Sequence, residues 1–489
     1  MMDLRKLALL AVTVAAMVVG ELGSGCLGNV LTLNVKRKFA GRGKDLSAMR
    51  AHDMRRHGRL LSTIDVDLPL GGNGHPSETG LYFAKIGLGN PSEDYYVQVD
   101  TGSDILWVNC AGCDKCPTKS GLGIDLTLYD PKRSSTSSLV YCDQDFCTST
   151  YDGPLPGCKP SLQCQYNVVY GDGSSTAGYF VKDNIQLEQV TGNLQSKSAN
   201  GTVVFGCGAR QSGELGSSSE ALDGIIGFGQ ANSSIISQLA ASGKVKRKFA
   251  HCLDNIDGGG IFAIGEVVSP KVKTTPIVPN QEHYNVVMKD IEVGDTVLQL
   301  PSDIFDSGDQ KGTIVDSGTT LAYLPSAIYE PLMTEILSPQ PALQLHSYED
   351  QFTCFRYLEN VDDGFPIVKF HFEGSLTLTI YPHDYLFQIR EDTWCFGWQN
   401  SGVQSKDGKD MILLGDLVLS NKLVVYDIEN QTIGWTEYNC SSSIKLRDGS
   451  SGAEYSVSAH DIASGSSLRI GGILTLLSII IALLHSSIA

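Results

Sequence analysis

Val99-Asp100-Thr101-Gly102-Ser103 and Val315-Asp316-Ser317-Gly318-Thr319 carry one unusual pattern 216 residues apart. Each copy sets an acid after an apolar run, then a hydroxyl residue, a glycine and a second hydroxyl residue. The runs upstream, Tyr95-Tyr96-Val97-Gln98-Val99 and Gly312-Thr313-Ile314-Val315, read as strands rich in β-branched and aromatic residues. An Asp at the end of a buried strand is costly unless its charge is hydrogen-bonded. Glycine lets backbone N–H groups approach such a carboxylate, and the hydroxyls can donate to it. One copy alone reads as an Asx-type turn. Two copies, one in each half, point to two carboxylates gathered at one site.

The duplication continues downstream. Asp223-Gly224-Ile225-Ile226-Gly227-Phe228-Gly229 follows the first Asp, and Met411-Ile412-Leu413-Leu414-Gly415-Asp416 follows the second. Each closes an apolar pair with glycine, at Gly227 and Gly415. This ordered set of four motifs resembles the pepsin-like aspartic proteases, over roughly residues 79–440. The resemblance implies an all-β fold with short helices and two β-barrel-like lobes flanking a peptide-binding cleft. It also implies the chemistry. Two Asp side chains roughly 3 Å apart share one proton, because both cannot easily ionise. The ionised member acts as general base on a water, and the protonated member polarises the scissile carbonyl. The pair titrates as a unit, so the proton belongs to neither Asp100 nor Asp316 alone. No cofactor and no metal enter this scheme.

The resemblance assigns further roles. Gly102, Ser103, Gly318 and Thr319 support the two carboxylates. Val168-Val169-Tyr170-Gly171-Asp172-Gly173-Ser174 looks like the flap that closes over bound peptide, with Tyr170 at its functional tyrosine. Trp107 matches the indole that holds that hydroxyl. The plainer alternative makes Tyr170 and Trp107 half-buried strand aromatics. Two departures from the pepsin pattern stand out. Asp104 replaces a usual Ser and adds a carboxylate near the pair, and Ser317 replaces a Thr while keeping the hydroxyl.

The 489 residues and 52 glycines suit two or three turn-rich domains. Arg5-Lys6 precedes the apolar run Leu7–Gly20, which reads as a secretory signal peptide at 1–24. Residues 25–64 hold nine Lys/Arg against two Asp/Glu, whereas 65–489 hold 26 against 50. A basic run is usually a solvated face or a nucleic-acid patch, and secretion argues against nucleic acid. The run resembles a propeptide, assigned to 25–70, with Val30–Val35 as a strand and Arg50–Leu61 as a helical stretch. The mature chain then starts between Asp65 and Gly80. The N-terminal lobe with its Cys-rich insertion takes 71–272, and the C-terminal lobe takes 273–440. A polar Ser/Gly-rich linker is expected over 441–467. The last segment, 468–489, is a hydrophobic tail with no Lys or Arg behind it. With small residues at Ala463–Ser466, it reads as a GPI signal attached at Ser464 or a neighbour. A single-pass anchor is the alternative. The expectation is a monomer at the extracellular face of the cell membrane, acting on peptide or protein substrates.

Thirteen cysteines in such a chain invite disulfides. Cys26 lies at the leader edge, which leaves twelve. Cys110-x-x-Cys113-x-x-Cys116 could suggest zinc, but the two pairs share their middle cysteine and the compartment is oxidising. The cluster resembles the insertion of nepenthesin-like plant aspartic proteases. That resemblance implies Cys110–Cys113, Cys116–Cys207, Cys142–Cys164, Cys147–Cys158, Cys252–Cys440 and Cys354–Cys395; spacing alone leaves the pairing open. Sequons stand at Asn200, Asn232, Asn430 and Asn439.

Two rival readings remain. A non-catalytic binding or inhibitor protein on the same fold would lose a dyad Asp or deform its loop, and both loops here are intact. A structural wall glycoprotein would leave Asp100 and Asp316 unexplained.

Overall fold

The computed structural model describes residues 63–462, except 217–219, 302–303, 306–311, 350, 401–410 and 450. The expected signal peptide, the basic run up to residue 62 and the tail with Ser464 lie outside the described residues.

Short strands dominate, because apolar residues alternate with polar ones at period two. In Glu93–Asp100 the side chains of Tyr95, Val97 and Val99 are buried, and Tyr96 and Gln98 between them are half-buried on the opposite face. This strand pairs antiparallel with Leu81–Leu88, setting Phe83 opposite Gln98. A long hairpin, Ser175–Gly192 with Gln195–Ser212, completes the wall of the first lobe. The second lobe builds smaller sheets around Met288–Val293, Val368–Phe372 and Leu376–Ile380. Its helix Ser326–Leu337 buries Ile328, Leu332 and Ile336, spaced four apart on one face.

One sheet runs through both lobes. Lys248–Leu253 pairs with Gly260–Ile264 on one side and with Lys422–Asp427 on the other, Phe249 facing Tyr426. Aromatic rings fill the layer beside it. Phe249 stacks on Tyr426 with centroids 4.3 Å apart, Phe228 meets Phe262 at 4.6 Å, and Tyr284 meets Tyr426 at 4.7 Å. This layer underlies both acidic loops.

Two segments differ from the sequence expectations. Residues 65–70, placed in the leader from sequence, are packed into the first lobe. Val66–Asp67 sits between Gly260–Ile264 and Ser175–Gly192, and Val66, Leu68 and Leu70 are buried. The expected boundary at 70 therefore falls within packed structure. Nor is 441–467 a free linker. Ser443–Arg447 and Glu454–Ser458 form a hairpin that pairs with Glu266–Ser269. It buries Ile444, Leu446 and Val457 against Ile261, Ala263 and Leu423.

The disulfides differ in the insertion. The structure pairs Cys110–Cys207, Cys113–Cys116, Cys142–Cys158 and Cys147–Cys164 in place of the four implied there. Trp107–Asp114 runs parallel to Gln195–Ser212 with Val108 beside Cys207, which brings Cys110 within 5.4 Å of Cys207 between Cα atoms. Tyr141 pairs with Gln163, so Cys142 and Cys164 are only diagonal neighbours. Diagonal spacing of about 7–8 Å is beyond disulfide reach. The helix Asp145–Thr150 instead turns Cys147 toward Cys164. The remaining bonds are Cys252–Cys440 and Cys354–Cys395, the pairs the resemblance implied.

Candidate active site

Each acidic loop leaves its strand beside a second, parallel strand. Gly224–Gly227 runs parallel to Glu93–Asp100 and sets Gly227 beside Asp100. Ile412–Leu414 runs parallel to Thr313–Val315, with Leu414 beside Val315. The glycines are needed for this contact. A Cβ at Gly227 would strike the backbone of Asp104, and one at Gly415 would strike the carbonyls of Thr319 and Leu321. Backbone bonds then lock each loop: Phe228 N–H donates to Asp100 O at 2.7 Å, and Asp416 N–H donates to Thr319 O at 2.7 Å.

The two carboxylates face each other. A Cβ on Gly102 would lie 2.5 Å from Asp316 Oδ2, and one on Gly318 would collide with Asp100 Oδ1. Both acids are nearly buried, Asp100 at 6 % and Asp316 at 7 % exposure. Their caps match. Gly102 N–H donates to Asp100 Oδ1 at 2.8 Å, and Gly318 N–H donates to Asp316 Oδ1 at 2.8 Å. Ser103 Oγ donates to Asp100 Oδ2, and Thr319 Oγ1 donates to Asp316 Oδ2 at 2.7 Å. Burial and then the Asp316 charge push the Asp100 carboxyl well above the usual range, against the pull of its two caps. A raised carboxyl beside a second acid is the arrangement that holds one proton between two groups.

The structure brings Tyr170 and Trp107 together. Tyr170 follows the strand Gln165–Val169 at the turn of a hairpin, its N–H donating to Ser174 O at 2.9 Å. Trp107 Nε1 donates to Tyr170 Oη at 2.7 Å. Burial raises the Tyr170 phenol, and the nearby Asp100 charge raises it further. Asp104 does not turn to the pair. Its Oδ1 accepts from Ala231 N–H at 2.9 Å, so it braces the loop after Gly227. The four sequon asparagines are all exposed.

Some contacts that hold the site were not visible in the sequence. Ser317 N–H donates to Thr101 Oγ1 at 2.8 Å, a direct bond from one loop to the other. Gln98 Nε2 donates to Gly318 O at 3.2 Å, again across the lobes. Thr101 also bonds Tyr426, whose hydroxyl lies 3.1 Å from Nε2 of the fully buried His251. Burial lowers His251 to about 3, so this imidazole is neutral. Asp416 is buried behind the pair and is pushed far up by burial and then by Asp316 and Asp100. The acid was visible in the Leu414-Gly415-Asp416 motif, but its position behind the pair was not.

Comparisons with known proteins agree with this geometry. Residues 82–266 match the family described as xylanase inhibitor N-terminal, and 283–437 match xylanase inhibitor C-terminal. The chain is 57 % identical over 454 residues to Aspartic proteinase 36 of Arabidopsis thaliana, covering 93 % of each chain. It is 51 % identical over 489 residues to Aspartic proteinase 39 of the same plant, covering 100 % of each. Among solved structures, edgp superposes with TM-score 0.61 at 20 % identity, over 77 % of this chain and 96 % of that one. Basic 7S globulin from soybean gives 0.58 at 21 %, over 76 % and 96 %. These two show the fold.

Proposed function

Because the chain belongs to the pepsin-like aspartic proteases of plants, we propose that it cleaves internal peptide bonds through Asp100 and Asp316. The observation that carries this is the matched capping of two facing carboxylates, one from each lobe.

The pair shares one proton in the working state. The ionised partner takes a proton from a water, which attacks the scissile carbonyl. The other partner donates its proton to the developing oxyanion, and collapse of the tetrahedral intermediate expels the amine. No acyl-enzyme forms. The Trp107–Tyr170 bond holds the flap hairpin over the bound peptide. Since the shared proton is lost as pH rises, cleavage is favoured at acid pH.

The finer reading is a secreted zymogen that acts as a monomer tethered through a GPI anchor. The leader, the basic run 25–64 and the apolar tail support it from sequence. The cations of the run neutralise the acidic cleft at neutral pH and release it when carboxylates protonate. If a protein lacking 25–64 folds and shows unchanged latency at neutral pH, that part fails. Release from cells by a phosphatidylinositol-specific phospholipase tests the anchor.

A second reading is a non-catalytic binding protein on the same fold, because both family descriptions name an inhibitor. Peptide hydrolysis separates the two. The propeptide-containing protein is scanned from acid to neutral pH, with and without pepstatin, beside Asp100→Asn. Acid-favoured cleavage that the inhibitor blocks and the mutant lacks supports the protease. Silence from folded, processed protein supports the binder.

A further inference from the structure

A cavity of about 420 Å³ opens on the second lobe, lined by Tyr381, His383, Asp384, Lys422, Glu437 and Asn439 among others. Its volume is within the roughly 300–1,000 Å³ typical of small-molecule sites. None of its lining residues belongs to the acidic loops. We infer that this cavity is the seat of an N-linked glycan carried by Asn439, one of its own wall residues.

The chemistry of the wall selects the ligand class. Lys422 and Asp384 form a buried pair at 2.9 Å, their side chains 3 % and 2 % exposed, so their charges cancel. An ammonium has three protons. Among the described residues two are claimed, by Asp384 Oδ2 and by Ser420 O at 3.3 Å, which leaves the third to meet a ligand oxygen. His383 is paired with Asp362 at 2.9 Å. Among the described residues the Glu437 carboxyl accepts from the Tyr381 hydroxyl, at 3.1 and 3.3 Å. With Lys422 already matched by Asp384, the wall offers no surplus cation to an anionic ligand, whereas a neutral one rich in hydroxyl and amide groups finds donors and acceptors. The Tyr381 and His383 rings stack within 2° of parallel, centroids 5.5 Å apart, so the C–H side of a sugar ring has the outer face of this stack to pack on.

The tether names the source. Asn439-Cys440-Ser441 is a sequon, and Asn439 is exposed. Its Oδ1 accepts from Ser441 N–H at 3.0 Å, which leaves Nδ2 to carry the sugar. A sugar attached there needs little affinity of its own, because attachment supplies an effective concentration in the millimolar range. The inference rests on the secretory route proposed above.

The test is site-resolved deglycosylation of the full chain secreted from plant cells. Native protein is treated with a peptide N-glycosidase, and glycopeptide mass spectrometry follows release at Asn439 and at Asn200. Asn200 lies exposed on the strand Gln195–Ser212 and is the reference. Release at Asn439 is expected to be about tenfold slower than at Asn200, a difference that denaturation abolishes. Tyr381→Ala, and independently Glu437→Gln, should bring it to the Asn200 rate. Equal rates in the native protein, or slow release that survives both substitutions, would overturn the inference. An unmodified Asn439 beside a modified Asn200 overturns it while leaving the secretory reading intact; with neither modified, both fall. In Asn439→Gln protein, free di-N-acetylchitobiose should show no binding below millimolar concentration. Tight binding there would make the cavity a site for an outside sugar and overturn the inference.

Discussion

The two acidic loops are near copies in their caps and unequal in the bond that joins them. Around each carboxylate, a glycine N–H takes one oxygen and a hydroxyl takes the other. Between the loops the symmetry breaks. Thr101 Oγ1 accepts from Ser317 N–H and reaches Tyr426 below, whereas Ser317 Oγ has no partner among the described residues. The chemistry requires both halves equally, so the caps are matched. The bracing needs only one anchored hydroxyl, and the Thr that supplies it stands on the interlobe aromatic layer.

The strongest test of the matched half is Asp100→Asn beside Asp316→Asn. Each should lower kcat by about 10³-fold or more, because neither carboxylate can share a proton alone. A large loss from only one substitution would break the symmetry in the chemistry itself.

The unequal half predicts unequal costs. Thr101→Val leaves the buried Ser317 N–H without an acceptor and should destabilise by about 1–3 kcal/mol in denaturant unfolding. Ser317→Ala removes a hydroxyl that bonds nothing and should be close to neutral. Equal losses would show that Ser317 Oγ has a partner in solution and that the joint is symmetric after all.

The Tyr170 hairpin, proposed above as the flap, belongs to the first lobe and extends the comparison. Tyr170→Phe removes the acceptor of Trp107 Nε1 and should lower kcat/KM by about tenfold, from the loss of one buried hydrogen bond. Thermal stability should change little. An unchanged kcat/KM would return Tyr170 to the status of a half-buried strand aromatic.

The smallest effect concerns pH. Burial, then Asp448, raises Asp65 from 3.8 to about 7, despite Lys246 nearby. The folded state therefore holds this proton more tightly than the unfolded one. Its contribution is intact below pH 3.8 and is lost progressively as pH climbs through about 7. Asp65→Asn should flatten the fall in Tm over that window by a few degrees. His251 works in the opposite direction: its folded value is depressed to about 3, so stability is lost as pH falls from 6.5 toward 3. A wild-type Tm that rises from pH 4 to 7 would mean that depressed groups of this kind outweigh Asp65.

Much of the site was legible because its parts are local. Asp100, its glycine and its hydroxyl lie within four residues, and the parallel strand ends in a glycine whose contact admits no side chain. The parts that escaped are non-local or short. The roles of Gln98, Tyr426 and His251 depend on partners about 175 residues away or more. Ser443-Ile444-Lys445-Leu446-Arg447 does alternate with period two, but five residues among serines and glycines read as linker. The Cys-rich pairing turned on a strand register that leaves Cys142 diagonal to Cys164 and on a short helix that presents Cys147 instead, neither of which composition encodes.

The Cys252–Cys440 bond also sets a clock. Its partners are 188 residues apart, and the whole second lobe lies between them. At roughly 5–20 residues per second, the ribosome needs about 10–40 s to deliver the second thiol after the first. All the partners of the first lobe's other cysteines have by then been made. Cys252 waits as a free thiol while Cys354 and Cys395 pass by. Its shield arrives equally late: Cys252 pairs with Leu423 and packs with Ile444, Leu446 and Val457, so the burial that hides the thiol is completed only as its partner emerges.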